Sequence, residues 1–215
     1  MTLPPLYPIL DTELLDRRSC PLETAAEAML EGGAAILQIR HKGHFSRRRF
    51  EEAERVAALC RRFGAIVIVD DRADIARLLE AGVHLGQEDL PPRLARKVLG
   101  PEALVGFSTH NAEQLRAAAV EPADYLALGP IFETGSKRNP DPVVGLERLR
   151  EWRPLTPRPL VAIGGITRAN AIFVLQAGAD SVAVIGDLLP ESCTRDTLRQ
   201  RMEDWQQLVK THRPA

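Results

Sequence analysis

The segment Gln38-Ile39-Arg40-His41-Lys42 ends a short apolar run, and alternation along it sets Gln38, Arg40 and Lys42 on one side. An amide and two cations converging in this way suit an anionic ligand. The alternative is a polar layer inside a barrel, with Lys42 in solvent. Two further runs end in carboxylates, at Asp70-Asp71-Arg72 and at Gln87-Glu88-Asp89. Such a pair can share Mg2+, a hard ion that takes oxygen ligands and keeps waters and phosphate oxygens. Asp71 alone could equally cap the helix that follows. Asp71 and Asp89 beside Arg40 and Lys42 describe a metal–pyrophosphate site.

A fifth run ends Ser108-Thr109-His110. Ser108 can donate a hydrogen bond, and His110 can serve as an acid or base or as a loop or capping histidine. Thr134-Gly135-Ser136-Lys137 places two hydroxyls, a glycine and a lysine at a spacing that can cradle a phosphate. Two more runs end in glycine turns, Gly164-Gly165-Ile166-Thr167 and Ile185-Gly186-Asp187. Glycine lets backbone N–H groups approach a ligand, and a helix N-terminus adds positive potential. A tight turn with no ligand is the plain alternative.

These residues need elements that bring them to one place. Eight short apolar runs, several rich in Val and Ile, begin at Leu6, Ile36, Ile66, Gly82, Val105, Tyr125, Leu160 and Ser181. They read as buried parallel strands. Between them lie stretches of helical length: 21–31, 46–63, 71–81, 91–99, 111–119, 145–152, 168–176 and 194–210. Ser46 is the expected N-cap of the second stretch and Gly64 its stop. Strict alternation requires a parallel sheet with right-handed crossovers. Eight units predict a single-domain (β/α)8 TIM barrel over residues 1–215, with an open doubly wound sheet as the alternative. In a barrel the strand ends listed above share one mouth. The stretch from Phe132 to Val144 carries no pattern, and a loop of that length in a compact barrel is often functional.

Composition is that of an ordinary globular protein, with 45% hydrophobic and 27% charged residues and a formal net charge of -1. That balance gives no argument for nucleic acid or membrane binding, and Arg47-Arg48-Arg49 reads as a solvated helix face. Met1 to Leu10 has no signal-peptide pattern, and no apolar run reaches membrane-spanning length. Cys20, Cys60 and Cys193 form neither a metal pattern nor a disulfide framework, which fits a reducing, cytoplasmic setting. The expected partners are small phosphorylated molecules. A homo-oligomer is compatible with the sequence but not specified by it.

Over nearly its whole length the chain resembles the thiamine phosphate synthase (thiamine-phosphate pyrophosphorylase) family. The segments that carry the resemblance are Gln38 to Lys42, Asp71-Arg72-Ala73-Asp74-Ile75-Ala76 and Val83-His84-Leu85-Gly86-Gln87-Glu88-Asp89-Leu90. Further on they are Gly129-Pro130-Ile131-Phe132-Glu133-Thr134, Pro142 to Glu147 and Ala162-Ile163-Gly164-Gly165-Ile166. The resemblance implies a Mg2+-dependent transfer joining an aminopyrimidine-methyl diphosphate to hydroxyethylthiazole phosphate, with release of pyrophosphate. It implies that Gln38, Ile39, Arg40, His41, Lys42 and Asp70 hold the pyrimidine diphosphate and that Asp71 and Asp89 bind Mg2+. Ser108 and Lys137 would contact the diphosphate, and Arg40, Ser108 and Lys137 are the expected catalytic residues. Thr134, Gly135, Ser136, Gly165, Ile185 and Gly186 would hold the thiazole phosphate. Such a reaction rests on positioning and charge stabilisation and needs no general base.

The chain departs from the family pattern in three places. Asp70 stands where the family has Asn, Gly186 where it has Ser, and Ser136 where it has Thr. A carboxylate at 70 repels a phosphate unless a metal or proton intervenes, and it could recruit a metal. Two other functions stay in view. A thiazole tautomerase-like isomerase would use His110 and the phosphate site. A non-catalytic binder of phosphorylated thiazole is the reading that Asp70 motivates.

Overall fold

The computed structural model describes residues 2–134 and 141–210. Eight parallel strands close into a barrel in the order β1 to β8. They are β1 (Leu6–Asp11), β2 (Ile36–Arg40), β3 (Ile66–Asp70), β4 (Gly82–Leu85), β5 (Val105–Thr109), β6 (Tyr125–Leu128), β7 (Leu160–Ile163) and β8 (Ser181–Val184). The ring closes through Leu6 of β1 against Val182 of β8. The open-sheet alternative is thereby set aside.

Two apolar layers follow from strand alternation. Outward residues such as Leu37, Ile39, Val69 and Val83 join a core beneath the helices. Inward residues, among them Tyr7, Ile9, Ile36, Ile68, Tyr125, Ala127, Val161 and Ala183, fill the barrel. Burial on both faces is why these strands read as continuous apolar runs.

The helices are α1 (Thr12–Arg17), α2 (Leu22–Glu31), α3 (Arg47–Phe63), α4 (Ala73–Leu78), α5 (Pro92–Leu99), α6 (Ala112–Ala118), α7 (Gly145–Trp152), α8 (Ala171–Gln176) and α9 (Arg195–Lys210). Ser46 caps α3 by accepting from Arg49 N–H at 3.3 Å, and Gly64 ends it at φ 67°. One helix exceeds the expected eight. Helix α1 is only six residues long, and Asp11 starts it by accepting from Leu14 N–H at 2.9 Å. Helix α4 begins two residues later than expected because Asp71 sits at φ 61°, outside the right-handed helical region. Asp71 therefore does not cap α4; the residue before that helix is Arg72. Helix α8 also starts late, after a turn in which Asn170 Oδ1 accepts from Thr167 N–H at 2.8 Å. Among the described residues no helix is long and apolar enough to cross a membrane.

Candidate active site

The strand ends surround a cavity of about 1050 Å3. Gln38, Arg40, Lys42, Asp70, Asp71 and Asp89 line one side of it, with Ser108 and His110 next in order round the ring. Thr134, Gly164, Gly165, Ile185 and Gly186 line the other. Ile39 and His41 do not line it. Ile39 is an outward strand residue in the helix-side core. The His41 ring meets Thr12 Oγ1 at 2.7 Å and packs edge-on against Phe45. Gly135, Ser136 and Lys137 lie outside the described residues.

The cationic side is held by its own counterions. The Arg40 guanidinium is pinned by Asp11 through Nη1 and stands 3.7 Å from Asp70 Oδ2 through Nε. Lys42 Nζ lies 2.7 Å from Asp70 Oδ2 and 2.6 Å from Asp71 Oδ2. Burial opposes the charge on Lys42, but the two carboxylates outweigh it and push its pKa up. Asp70 is itself buried at the end of β3, paired in register with His84. Burial pushes its carboxyl up to about 6, against the pull of Lys42 and with the push of Asp71. Asp70 thus faces two cations, which is how a carboxylate is tolerated when buried at this strand end.

Asp71 and Asp89 come together across the ends of β3 and β4. Asp71 N–H donates to His84 O at 2.8 Å, and its left-handed backbone costs about 1 kcal/mol for a residue with a Cβ. Asp89 Oδ2 accepts from Gly86 N–H at 2.6 Å. Burial pushes the Asp89 carboxyl up; the Gly86 N–H opposes this, and a hydrogen bond shared with Asp71 adds to it. Two carboxylates so close need a proton or cation between them, and an ammonium already bridges Asp70 and Asp71. Two carboxylates plus substrate oxygens are an ordinary ligand set for Mg2+.

The opposite side is built from backbone. Gly164 and Gly165 take φ 101° and 65°, and an added Cβ would lie 2.5 Å from Pro130 Cβ and 2.4 Å from Glu133 O respectively. Only glycine fits both the angle and the space. At β8, a single 3-10 turn covers Gly186–Leu188. Asp187 pins that turn by accepting from Trp205 Nε1 at 3.0 Å and from Arg168 Nε at 3.2 Å. Nothing lies within 4 Å of the Gly186 Cβ position, so the backbone there faces open space. His110 Nδ1 meets Gly129 O at 2.7 Å, so that nitrogen carries the proton and the ring is tied to the β6 end.

Three residues were missed at the sequence level, Tyr7, His84 and Tyr125. Tyr7 and His84 line the cavity beneath Gln38 and Ser108, and Tyr125 bonds to both from below. Each sits inside an apolar run and reads there as packing. Their inward register was the available signal, because polar groups inside a barrel must find partners on other strands.

A closed parallel barrel thus gathers cations and paired carboxylates on one side of its mouth and glycine turns on the other, at the strand ends where enzymes of this barrel class carry their active sites. The family model of thiamine monophosphate synthase matches residues 6–188. The chain belongs to that family. It is 46% identical over 212 residues to the thiamine-phosphate synthase of Koribacter versatilis, covering 97% of each chain. With the thiamine-phosphate synthase of Laribacter hongkongensis it shares 41% identity over 196 residues, 89% of this chain and 92% of the relative. The solved thiamine phosphate pyrophosphorylase of Pyrococcus furiosus superposes with a TM-score of 0.84 at 34% identity, covering 97% of this chain and 96% of that one.

Proposed function

We infer that the chain is a transferase that condenses 4-amino-2-methyl-5-pyrimidinylmethyl diphosphate with hydroxyethylthiazole phosphate, giving thiamine phosphate and pyrophosphate. The observation that carries this reading is the division of one cavity into two phosphate-suited ends. Arg40, Lys42, Asp71 and Asp89 gather at one end, and the Gly164-Gly165 and Ile185-Gly186 turns face it at the other.

The chemistry follows from charge. The C–O bond to the diphosphate breaks with both electrons leaving on oxygen, and the aminopyrimidine ring spreads the positive charge left on its methylene. The thiazole nitrogen supplies the pair for the new C–N bond, so no proton has to move. Arg40 and Lys42 neutralise the departing diphosphate, and their fixed counterions hold them in place before the bond breaks. Asp71 and Asp89 would hold Mg2+, which when bound supplies further positive charge to the leaving group. The glycine turns would seat the thiazole phosphate, so its ring nitrogen is delivered to the methylene. Lys137, Ser136 and Gly135 are expected to join these ends. The free thiols of Cys20, Cys60 and Cys193 support a cytoplasmic setting.

Incubating the purified protein with both substrates and Mg2+ should yield thiamine phosphate and pyrophosphate in equal amounts. A folded protein that gives no product beside an active relative would contradict the reading.

A further inference from the structure

Beneath the cavity a continuous chain of hydrogen bonds crosses the barrel. Gln38 Nε2 meets Tyr7 Oη at 3.1 Å, and Tyr7 Oη meets Tyr125 Oη at 2.8 Å. Tyr125 Oη meets His84 Nδ1 at 3.0 Å, and His84 Nε2 meets Ser108 Oγ at 2.8 Å. Strands β2, β1, β6, β4 and β5 each contribute one link. Tyr7, Tyr125, His84 and Gln38 are buried, and His84 stacks on Tyr125 with centroids 5.6 Å apart.

The chain has a direction. An amide nitrogen only donates, so Tyr7 accepts from Gln38; the buried Tyr7 hydroxyl must place its own proton on an acceptor, and among the described residues Tyr125 Oη is the one within reach. Tyr125 must then donate to His84 Nδ1. Burial holds both phenols protonated, and a hydroxyl that donates to Nδ1 leaves that nitrogen without a proton. With Nδ1 accepting, the ring proton sits on Nε2 and is donated to Ser108 Oγ. The Ser108 hydrogen is left to point elsewhere, into the mouth. At the other terminus Gln38 Oε1 is left as an acceptor.

The barrel is also cut away to admit the chain. A Cβ on Gly106 of β5 would lie 2.1 Å from Tyr125 Cζ, 2.3 Å from its Oη and 2.5 Å from His84 Nδ1. Any other residue there would push apart the two central links.

Resting on the function proposed above, we propose that Tyr7, Tyr125 and His84 are positioning residues. Together they form one oriented hydrogen-bond chain that fixes Gln38 as acceptor for the amino group of the aminopyrimidine and Ser108 as donor to its diphosphate. The two ends are set together: reversing the chain would turn Ser108 into an acceptor facing its ligand and Gln38 into a donor. A ring with an exocyclic amino group and an anionic arm is then the ligand that matches both ends.

The tautomer of His84 tests this without any ligand. In protein with 15N-labelled histidine at pH 7, long-range 1H–15N correlation should show a neutral His84 with its proton on Nε2. A proton on Nδ1, or an imidazolium, overturns the proposal whatever reaction the protein catalyses. In Tyr125→Phe nothing donates to Nδ1, so the His84 Nδ1 resonance should move to the shift of an unbonded acceptor nitrogen while the proton stays on Nε2. In Tyr7→Phe the tautomer should stay as it is, because Tyr125 can still donate. Kinetics give the second readout. Tyr125→Phe should lower kcat/KM for the pyrimidine diphosphate roughly tenfold or more and leave KM for the thiazole phosphate unchanged. Ser108→Ala should lose at least as much, and the loss in Tyr125→Phe combined with Ser108→Ala should fall short of the product of the two single losses. Losses that multiply, or that fall on the thiazole phosphate instead, overturn the proposal. A wild-type protein with the Nε2 tautomer and no turnover would instead remove the assigned reaction and leave the chain standing.

Discussion

Replacing Asp70 by Asn should change how stability responds to acid, by an amount the site itself sets. The Asp70 carboxyl is pushed by burial from 3.8 to about 6, so between those values the folded protein holds a proton that the unfolded chain has lost. Acidification through that window therefore stabilises the fold by about 3 kcal/mol at 1.36 kcal/mol per pH unit. His84 acts in the opposite sense. Burial lowers it from 6.5 to about 4, so between those values the unfolded chain holds the extra proton, and acidification costs about 3 kcal/mol. In the natural protein the two nearly cancel over pH 4 to 6. Asp70→Asn leaves His84 uncompensated. Urea unfolding of both proteins in the presence of EDTA, from pH 4 to 7, cancels the remaining carboxylates by difference. The stability of Asp70→Asn relative to the natural protein should be about 2 kcal/mol more favourable at pH 7 than at pH 4. A difference that stays flat across that range would refute the account of Asp70 as a buried, raised carboxyl.

Gly165→Ala would place a Cβ 2.4 Å from Glu133 O at a left-handed backbone angle. It should raise KM for the thiazole phosphate at least tenfold while leaving pyrophosphate binding near its natural value, as read by calorimetry. EDTA should abolish turnover, and added Mg2+ should restore it; Asp71→Asn should shift the Mg2+ dependence upward at least tenfold. Trp205 is fully buried on α9 and its Nε1 holds Asp187 behind the β8 turn. Trp205→Ala should cost about 3–5 kcal/mol in urea unfolding, and a loss under 1 kcal/mol would mean that the turn is supported otherwise.

The barrel was legible because its strands are buried on both faces: runs such as Ile66–Asp70 carry their apolar character without interruption, and the polar residues begin where the strands end. The same rule pointed to Arg40, Lys42, Asp71 and Asp89, since the ends of parallel strands share a face. It failed at α1, where six residues bear too little periodicity, and at the start of α4, which is set by the left-handed angle of Asp71. The pairing of Asp70 with both Arg40 and Lys42 was hidden as well. A carboxylate next to a phosphate site reads as repulsive until its counterions are placed. The hydrogen-bond chain was least visible, because Tyr7, His84 and Tyr125 lie in three separate runs and only barrel closure makes them neighbours.

The transfer reaction requires the cavity to hold its two phosphate groups at separate ends. A crystal structure with Mg2+, pyrophosphate and thiamine phosphate would place both groups and the metal at once. Pyrophosphate should lie against Arg40 and Lys42, the metal between Asp71 and Asp89, and the monophosphate on the Gly165 and Gly186 backbone. Both phosphate groups at one end of the cavity, or a metal held away from Asp71 and Asp89, would contradict this arrangement.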